Sequence, residues 1–155
     1  MFELHNQLAA DTVELGDLPL CRVLLMNDSQ YPWLILVPRR EGLRELYELS
    51  EQDRQQFVLE SDLVSRILAT VFAAEKLNVA ALGNMVPQLH VHHIARYRAD
   101  VAWPKPVWGQ FPAKPYTDEA LQSRCEQLVK ALSAAPDFCP KTNAWPLSDA
   151  GRKFE

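Results

Sequence analysis

The sequence has no CxxC pair, and its three cysteines, Cys21, Cys125 and Cys139, are far apart. An odd, scattered set of thiols indicates neither a disulfide framework nor a zinc knuckle and reads as reduced cytosolic thiols. No apolar run reaches the ~18 residues that a membrane span needs. The first segment, MFELHNQLAADT, lacks a basic stretch followed by an apolar one, so neither membrane nor export is expected and the cytoplasm is the expected location. There is no repeat and no low-complexity tract. Nor is there a block of like charge: the formal net charge of -4 is spread along the chain, leaving no electrostatic footprint for a nucleic-acid backbone. The expected partner is a small molecule, not a polymer.

What is present is ordinary globular composition, 48% hydrophobic and 23% charged over 155 residues, enough for one domain (1–155) with a buried core. The first half alternates short apolar runs with turn residues: VEL at 13–15, GDLP, CRVLLMN at 21–27, NDSQYP, then WLILVP at 33–38. Runs of this kind, bounded by Asp, Asn, Ser, Gly and Pro, predict consecutive strands in an antiparallel meander. Ser50 followed by Asp53 resembles a capping box. It opens a segment in which Phe57, Val64, Ile67, Leu68, Val71 and Phe72 recur at helical spacing, so a long helix is predicted. LNVAAL at 77–82 and LHVHHIAR at 89–96 return to strand composition, with Gly83 and Asn84 between them. Prolines cluster as a loop from Pro104 to Pro115, and Thr117 caps a second predicted helix through Ala134, with Leu121, Cys125, Leu128, Val129 and Leu132 on one face. The last twenty residues carry no assignable pattern. The sum is an α+β layer fold, its sheet covered on one face by helix.

The stretch QLHVHHIAR, residues 88–96, holds three of the four histidines. On a strand, Gln88, His90, His92 and Ile94 share one face, while Leu89, Val91, His93 and Ala95 share the other. Two imidazoles on one face, roughly 6.5 to 7 Å apart along the backbone, can converge on one phosphate. With an unperturbed pKa of about 6.5, one ring can attack phosphorus while its neighbour carries a proton to a phosphoryl oxygen. Three other readings stand beside this one: hydrogen-bonded structural histidines, an HxH zinc half-site that still needs a third ligand, and adventitious metal capture.

The motif resembles that of the histidine triad (HIT) family of nucleotide-binding hydrolases and transferases: His, apolar, His, apolar, His, then two apolar residues. Here Gln88 stands in the first histidine position and His93 in an apolar one. Starting the motif at His90 instead would misplace Gly83, Asn84, Met85, Val86 and Pro87, which match the family's approach to the motif only if Gln88 is first. Arg96 lies four after His92, where many members have an arginine. CRVLLMNDSQYPWLILVPRR is similar to the family's paired pocket strands, and LRELYELSEQDRQQF to the start of its long helix. The resemblance covers residues 10–100. It leaves the extension 101–155 without a role, although AWPKPVWG points to a bacterial subgroup.

The resemblance implies a HIT-like antiparallel meander with a long helix packed on it and a C-terminal helix. It also implies that His90 attacks the α-phosphate of a nucleotide to form a nucleoside-phosphohistidine, that His92 hydrogen-bonds that phosphate, and that Gln88 contacts the same region. Asn27 would hold the ribose hydroxyls, or simply make a turn. Asn84 would contact phosphate or leaving group, or again make the turn. Arg96 would approach phosphate, or be a solvated strand-end arginine. Met85 stands where many relatives have Ser or Thr near the leaving group, a departure that bears on proton donation there. Arg39 and Arg40 would lure phosphate or solvate a loop. Trp33, Trp103, Trp108 and Trp145 would pack, line a dimer interface or stack on a base. His93 is expected to be a bystander. The implied partners are a small nucleotide, a purine nucleotide being favoured, and a second copy in a homodimer; no cofactor and no metal is implied. The competing functions are a nucleotide-binding regulatory protein with little turnover and a metal-dependent hydrolase using His90 and His92 as ligands.

Overall fold

The computed structural model describes residues 1–141 and Trp145. A short helix α1 (Asn6–Asp11) leads into β1 (Thr12–Asp17), β2 (Cys21–Met26) and β3 (Trp33–Pro38). These three strands pair antiparallel in sequence order, the meander that the alternating runs predict. After a 3₁₀ turn at Leu46–Glu48 come α2 (Glu51–Thr70), β4 (Lys76–Ala80), β5 (Val91–Arg96), α3 (Asp118–Leu132) and the two-residue β6 (Cys139–Pro140). β5 returns to pair with β3 and leaves β4 outermost, giving a six-stranded order β4-β5-β3-β2-β1-β6, antiparallel throughout. The architecture is α+β. No helix among the described residues is long and apolar enough to cross a membrane.

Strand alternation sorts the core into two layers. Leu34, Leu36, Val91 and Ala95 pack with Val64 and Leu68 of α2 and with Leu121, Leu128 and Leu132 of α3. Trp33, Ile35, Val37 and Ile94 face the other way, under Leu8 of α1 and under Ala102 and Val107 of the proline-rich loop. The sheet is therefore covered by long helix on one face, as predicted, and on the other face by the N-terminal segment and the 97–117 loop. This explains why β3 and β5 are buried along their whole length.

The helix starts are read correctly from local chemistry. Ser50 Oγ accepts from the Asp53 amide and Thr117 Oγ1 from the Ala120 amide. The Asp53 carboxylate does not close the box, because it makes a two-pronged pair with Arg40 at 2.7 and 2.9 Å. The strand expected over 89–96 joins the ladder only at Val91, and the one expected over 77–82 ends at Ala80. Neither α1 nor β6 is marked by periodicity. α1 is capped by His5, whose Nδ1 accepts from the Gln7 amide. β6 can approach β1 only because residue 16 is glycine: a Cβ there would collide with the Cys139 carbonyl and the Phe138 ring. Of the C-terminal extension, residues 142–144 and 146–155 lie outside the described residues.

Candidate active site

β5 lies between β3 and β4, with His92 opposite Ile35 on one side and Ala80 on the other. His90 precedes the paired part of the strand, so its backbone is not fixed by a ladder partner. Its ring is fixed instead by Nδ1, 2.6 Å from the Gln88 carbonyl oxygen. A carbonyl only accepts, so Nδ1 carries the proton and the lone pair lies on Nε2. His92 is held in the opposite sense: its Nδ1 accepts from the indole N–H of Trp33 at 3.0 Å. The indole only donates, so the neutral His92 ring carries its proton on Nε2. The two rings sit edge to face with centroids 5.0 Å apart. A nitrogen with a free lone pair and a proton-bearing nitrogen thus belong to neighbouring rings on one face.

Trp108 from the proline-rich loop closes on His92 at 5.2 Å and on Trp33 at 5.9 Å, completing an aromatic wall. His92 is about 5% exposed. Burial, followed by the proximity of His90 and His93, pushes its pKa down to about 3, so it stays neutral at physiological pH. His93 faces α2, where Nδ1 donates to the Val91 carbonyl and Nε2 accepts from Ser61 Oγ at 2.7 Å. Burial outweighs the Val91 bond and lowers its pKa to about 4. With both nitrogens occupied on the far side of the sheet, His93 does not reach the pair.

The two tryptophans that contact His92 also wall a cleft of about 430 Å³, with Val107 and Phe111 beside them and Asp11 and Asn27 among its polar groups; neither His90 nor His92 lines it. Flat apolar walls with a few polar side chains suit a heteroaromatic ring joined to a hydroxylated sugar. Asn27 lines this cleft. Its Oδ1 accepts from the Tyr116 amide at 3.0 Å, which sets the orientation of its carboxamide. Asn84 and Met85 stand exposed in the loop between β4 and β5, with Met85 92% exposed.

The side chains of Gln88 and Arg96 are both engaged by protein partners. The Gln88 carboxamide binds the N-terminal segment, Oε1 accepting from the His5 amide at 2.9 Å and Nε2 donating to the Glu3 carbonyl at 2.8 Å. What Gln88 supplies to His90 is its backbone carbonyl. Arg96 is 1% exposed, neither solvated nor free for phosphate. Its Nε and Nη2 donate to Asp100 at 2.7 and 3.1 Å, Nη2 also donates to the Lys105 carbonyl, and Nη1 donates to Asn78 Oδ1. Burial alone would raise the pKa of Asp100, but the Arg96 bonds and the Tyr97 and Trp103 amides outweigh it and hold the carboxyl below the usual range. Arg39 bonds the Leu18 and Pro19 carbonyls while Arg40 pairs with Asp53, so both fasten loops.

Sequence reasoning did not single out Trp33 and Trp108 as partners of His92. Register could have found Trp33, since it lies opposite Ile94 and so diagonal to His92 on the same face. Nothing local marks Trp108. Among the described residues, no group of three or more His, Cys, Asp or Glu side chains is placed to hold a metal ion.

Fold and site define an antiparallel α+β protein with a histidine pair packed against two tryptophans that also wall an aromatic cleft. Residues 7–99 match the HIT domain model. A histidine triad protein from Marinobacter aquaeolei is similar at 54% identity, over 86% of this chain and 98% of that one, with a TM-score of 0.84. Others from Bradyrhizobium japonicum (45% identity, 86% and 96% of the two chains, TM-score 0.80) and Sinorhizobium meliloti (42%, 84% and 97%, TM-score 0.82) are similar over the same extent. Comparison with curated proteins gave no match. The chain belongs to the histidine triad (HIT) family. Each of these likenesses covers more of the chain than residues 7–99 span, so it takes in part of the region that the general family pattern leaves unexplained.

Proposed function

We propose that the protein is a nucleotide hydrolase or nucleotidyl transferase acting at the α-phosphate through His90. In the first step the Nε2 lone pair forms the N–P bond as the bond from phosphorus to the leaving group breaks, and that group departs with the electron pair and takes a proton from solvent. The ring becomes cationic as it is phosphorylated, and its Nδ1 proton, held by the Gln88 carbonyl, stabilises that charge. His92 donates from Nε2 to a non-bridging oxygen, where negative charge grows in the transition state. In the second step water attacks phosphorus, the N–P pair returns to Nε2, and the water proton leaves to solvent, releasing a nucleoside monophosphate. An acceptor other than water makes the same step a transfer. The cleft at Trp33, Trp108 and Asn27 would take the nucleoside, with a purine best matched to its flat walls.

The observation that carries this reading is the opposed hydrogen bonding of the two rings, which leaves a lone pair on one and a proton on the other. A homodimer belongs to the same proposal. Its support is the apolar side chains left exposed on the outermost strand and beyond it, Val79 and Leu82, and on α2, Val58 and Leu59. A location in the cytoplasm rests on the sequence composition.

The test is incubation with an adenosine phosphoramidate and a dinucleoside polyphosphate, following nucleoside monophosphate release and the mass of a trapped nucleotidyl adduct on His90. His90→Ala is expected to lower turnover by ~10³-fold or more and to abolish the adduct; full turnover by this variant would sink the assignment. The regulatory reading draws on Gln88, whose carboxamide is engaged by the N-terminal segment and cannot relay a proton as imidazole does. Tight nucleotide binding with no release across the panel would select it. Turnover abolished by chelator and restored by added metal would select the metal-dependent one.

A further inference from the structure

We infer that Trp33 is a positioning residue that fixes the tautomer of His92, so that this ring meets the substrate as a proton donor and never as a second lone pair. The argument rests on the proposed chemistry only for its consequence; the hydrogen bond stands without it. Trp33 opens β3 and is 6% exposed, and its Nε1 lies 3.0 Å from His92 Nδ1 in a buried contact. The rings also pack edge to face at 5.6 Å, with Trp108 holding both from the third side.

The type of residue decides the outcome. Ser, Thr, Asn or His at position 33 can both donate and accept, and would allow either imidazole tautomer. A carboxylate would accept only, forcing the proton onto Nδ1 and turning a lone pair toward the phosphate. Lys or Arg would donate, but at the cost of a buried charge. Indole donates, does not titrate in the working range and fills the apolar layer beneath the cleft. Adding a proton to His92 Nδ1 would also set two N–H groups against each other across a buried 3.0 Å contact, so Trp33 opposes the cation as well as the wrong tautomer. The titratable groups beside His92 are His90 ahead of the strand and His93 behind it on β5; the neighbours contributed by β3 and by the proline-rich loop, Trp33 and Trp108, do not titrate.

The test begins with the intact protein labelled with ¹⁵N-histidine. Long-range ¹H–¹⁵N spectra near neutral pH should show His92 with a protonated Nε2 and a hydrogen-bonded, unprotonated Nδ1. A His92 protonated on Nδ1 would overturn the inference outright. Trp33→Phe keeps an aromatic ring and removes the donor. In it the His92 nitrogen shifts should move toward tautomer averaging and kcat should fall ~10- to 100-fold. Unchanged His92 shifts in that variant would overturn the inference whatever its activity. Should Trp33→Phe not fold, site-specific replacement of Trp33 by benzothienylalanine, which keeps the bicyclic shape and puts sulfur in place of N–H, carries the same comparison. If the wild-type protein turns over no nucleotide, the proposed function fails while the spectra still decide the tautomer.

Discussion

Gln88 performs two separable tasks with two parts of one residue. Its backbone carbonyl holds His90 Nδ1, and its side-chain amide grips the main chain at Glu3 and His5. A carboxamide offers its donor and acceptor side by side, matching the carbonyl and amide that an extended segment shows along one edge two residues apart. Imidazole projects its two nitrogens in divergent directions and fits that edge poorly. Gln88→Ala should therefore free the N-terminal segment without disturbing His90, because the carbonyl remains. The expected effects are a loss of about 1–2 kcal/mol from two hydrogen bonds and faster hydrogen exchange at the His5 amide. Exchange at His5 as slow as in the wild type would refute the clamp. The sequence could present Gln88 only as a missing histidine, because its partners lie more than eighty positions away and no local pattern announces them. Arg96 is a similar case: its spacing from His92 is legible, but its surroundings are set by Asn78 of β4 and by Asp100 and Lys105 of the 97–117 loop.

Among the elements, α2 shows why periodicity reads a helix well and its buried polar residues badly. Its inward stripe runs Phe57, Glu60, Val64, Ile67 and Leu68. Glu60 interrupts the apolar letters, yet it is 3% exposed. Its carboxylate accepts from the Leu20 and Cys21 amides at 2.9 and 2.7 Å and from Gln56 at 2.7 Å, tying the helix to the turn between β1 and β2. Burial and then the neighbouring Glu60 push the Cys21 thiol pKa well up, so that thiol is inert as a nucleophile. Glu60→Ala would leave two buried amides without acceptors at a cost of about 2–4 kcal/mol. Urea unfolding should show this as a lower midpoint with an unchanged slope, and a shift of less than ~0.5 kcal/mol would exclude the tie. Helix starts at Ser50 and Thr117 were legible because a cap is satisfied within four residues. The end of a strand depends on a partner strand, and so the sequence ran the fifth strand two residues too far back, across His90. That difference matters, since His90 owes its orientation to a carbonyl rather than to a sheet ladder.

At the scale of the whole molecule, the sheet carries buried histidines on opposite faces of one strand, His92 toward Trp33 and Trp108 and His93 toward α2. The fold keeps both neutral, with pKa values pushed down to about 3 and about 4, chiefly by burial. In the unfolded chain such rings bind a proton near pH 6.5. Between that pH and the folded values the unfolded state holds more protons, so stability rises with pH in this window and is complete above it. On acidification the loss begins near pH 6.5 and continues until the folded rings themselves protonate, near pH 4 for His93 and lower for His92. At about 1.4 kcal/mol per unit for each ring, the two together would remove on the order of 3 kcal/mol by pH 5. That is a large part of the roughly 5–15 kcal/mol typical of a domain, and it is lost before most carboxylates begin to titrate. The unfolding free energy measured in urea should fall between pH 6.5 and 5 with a slope approaching two protons. His93→Gln, which removes one titrating ring from the helix side and leaves the cleft side intact, should reduce that slope by about one proton. A free energy that stays flat over this interval, or a slope that His93→Gln leaves unchanged, would mean that the two faces do not exclude the proton as their packing requires.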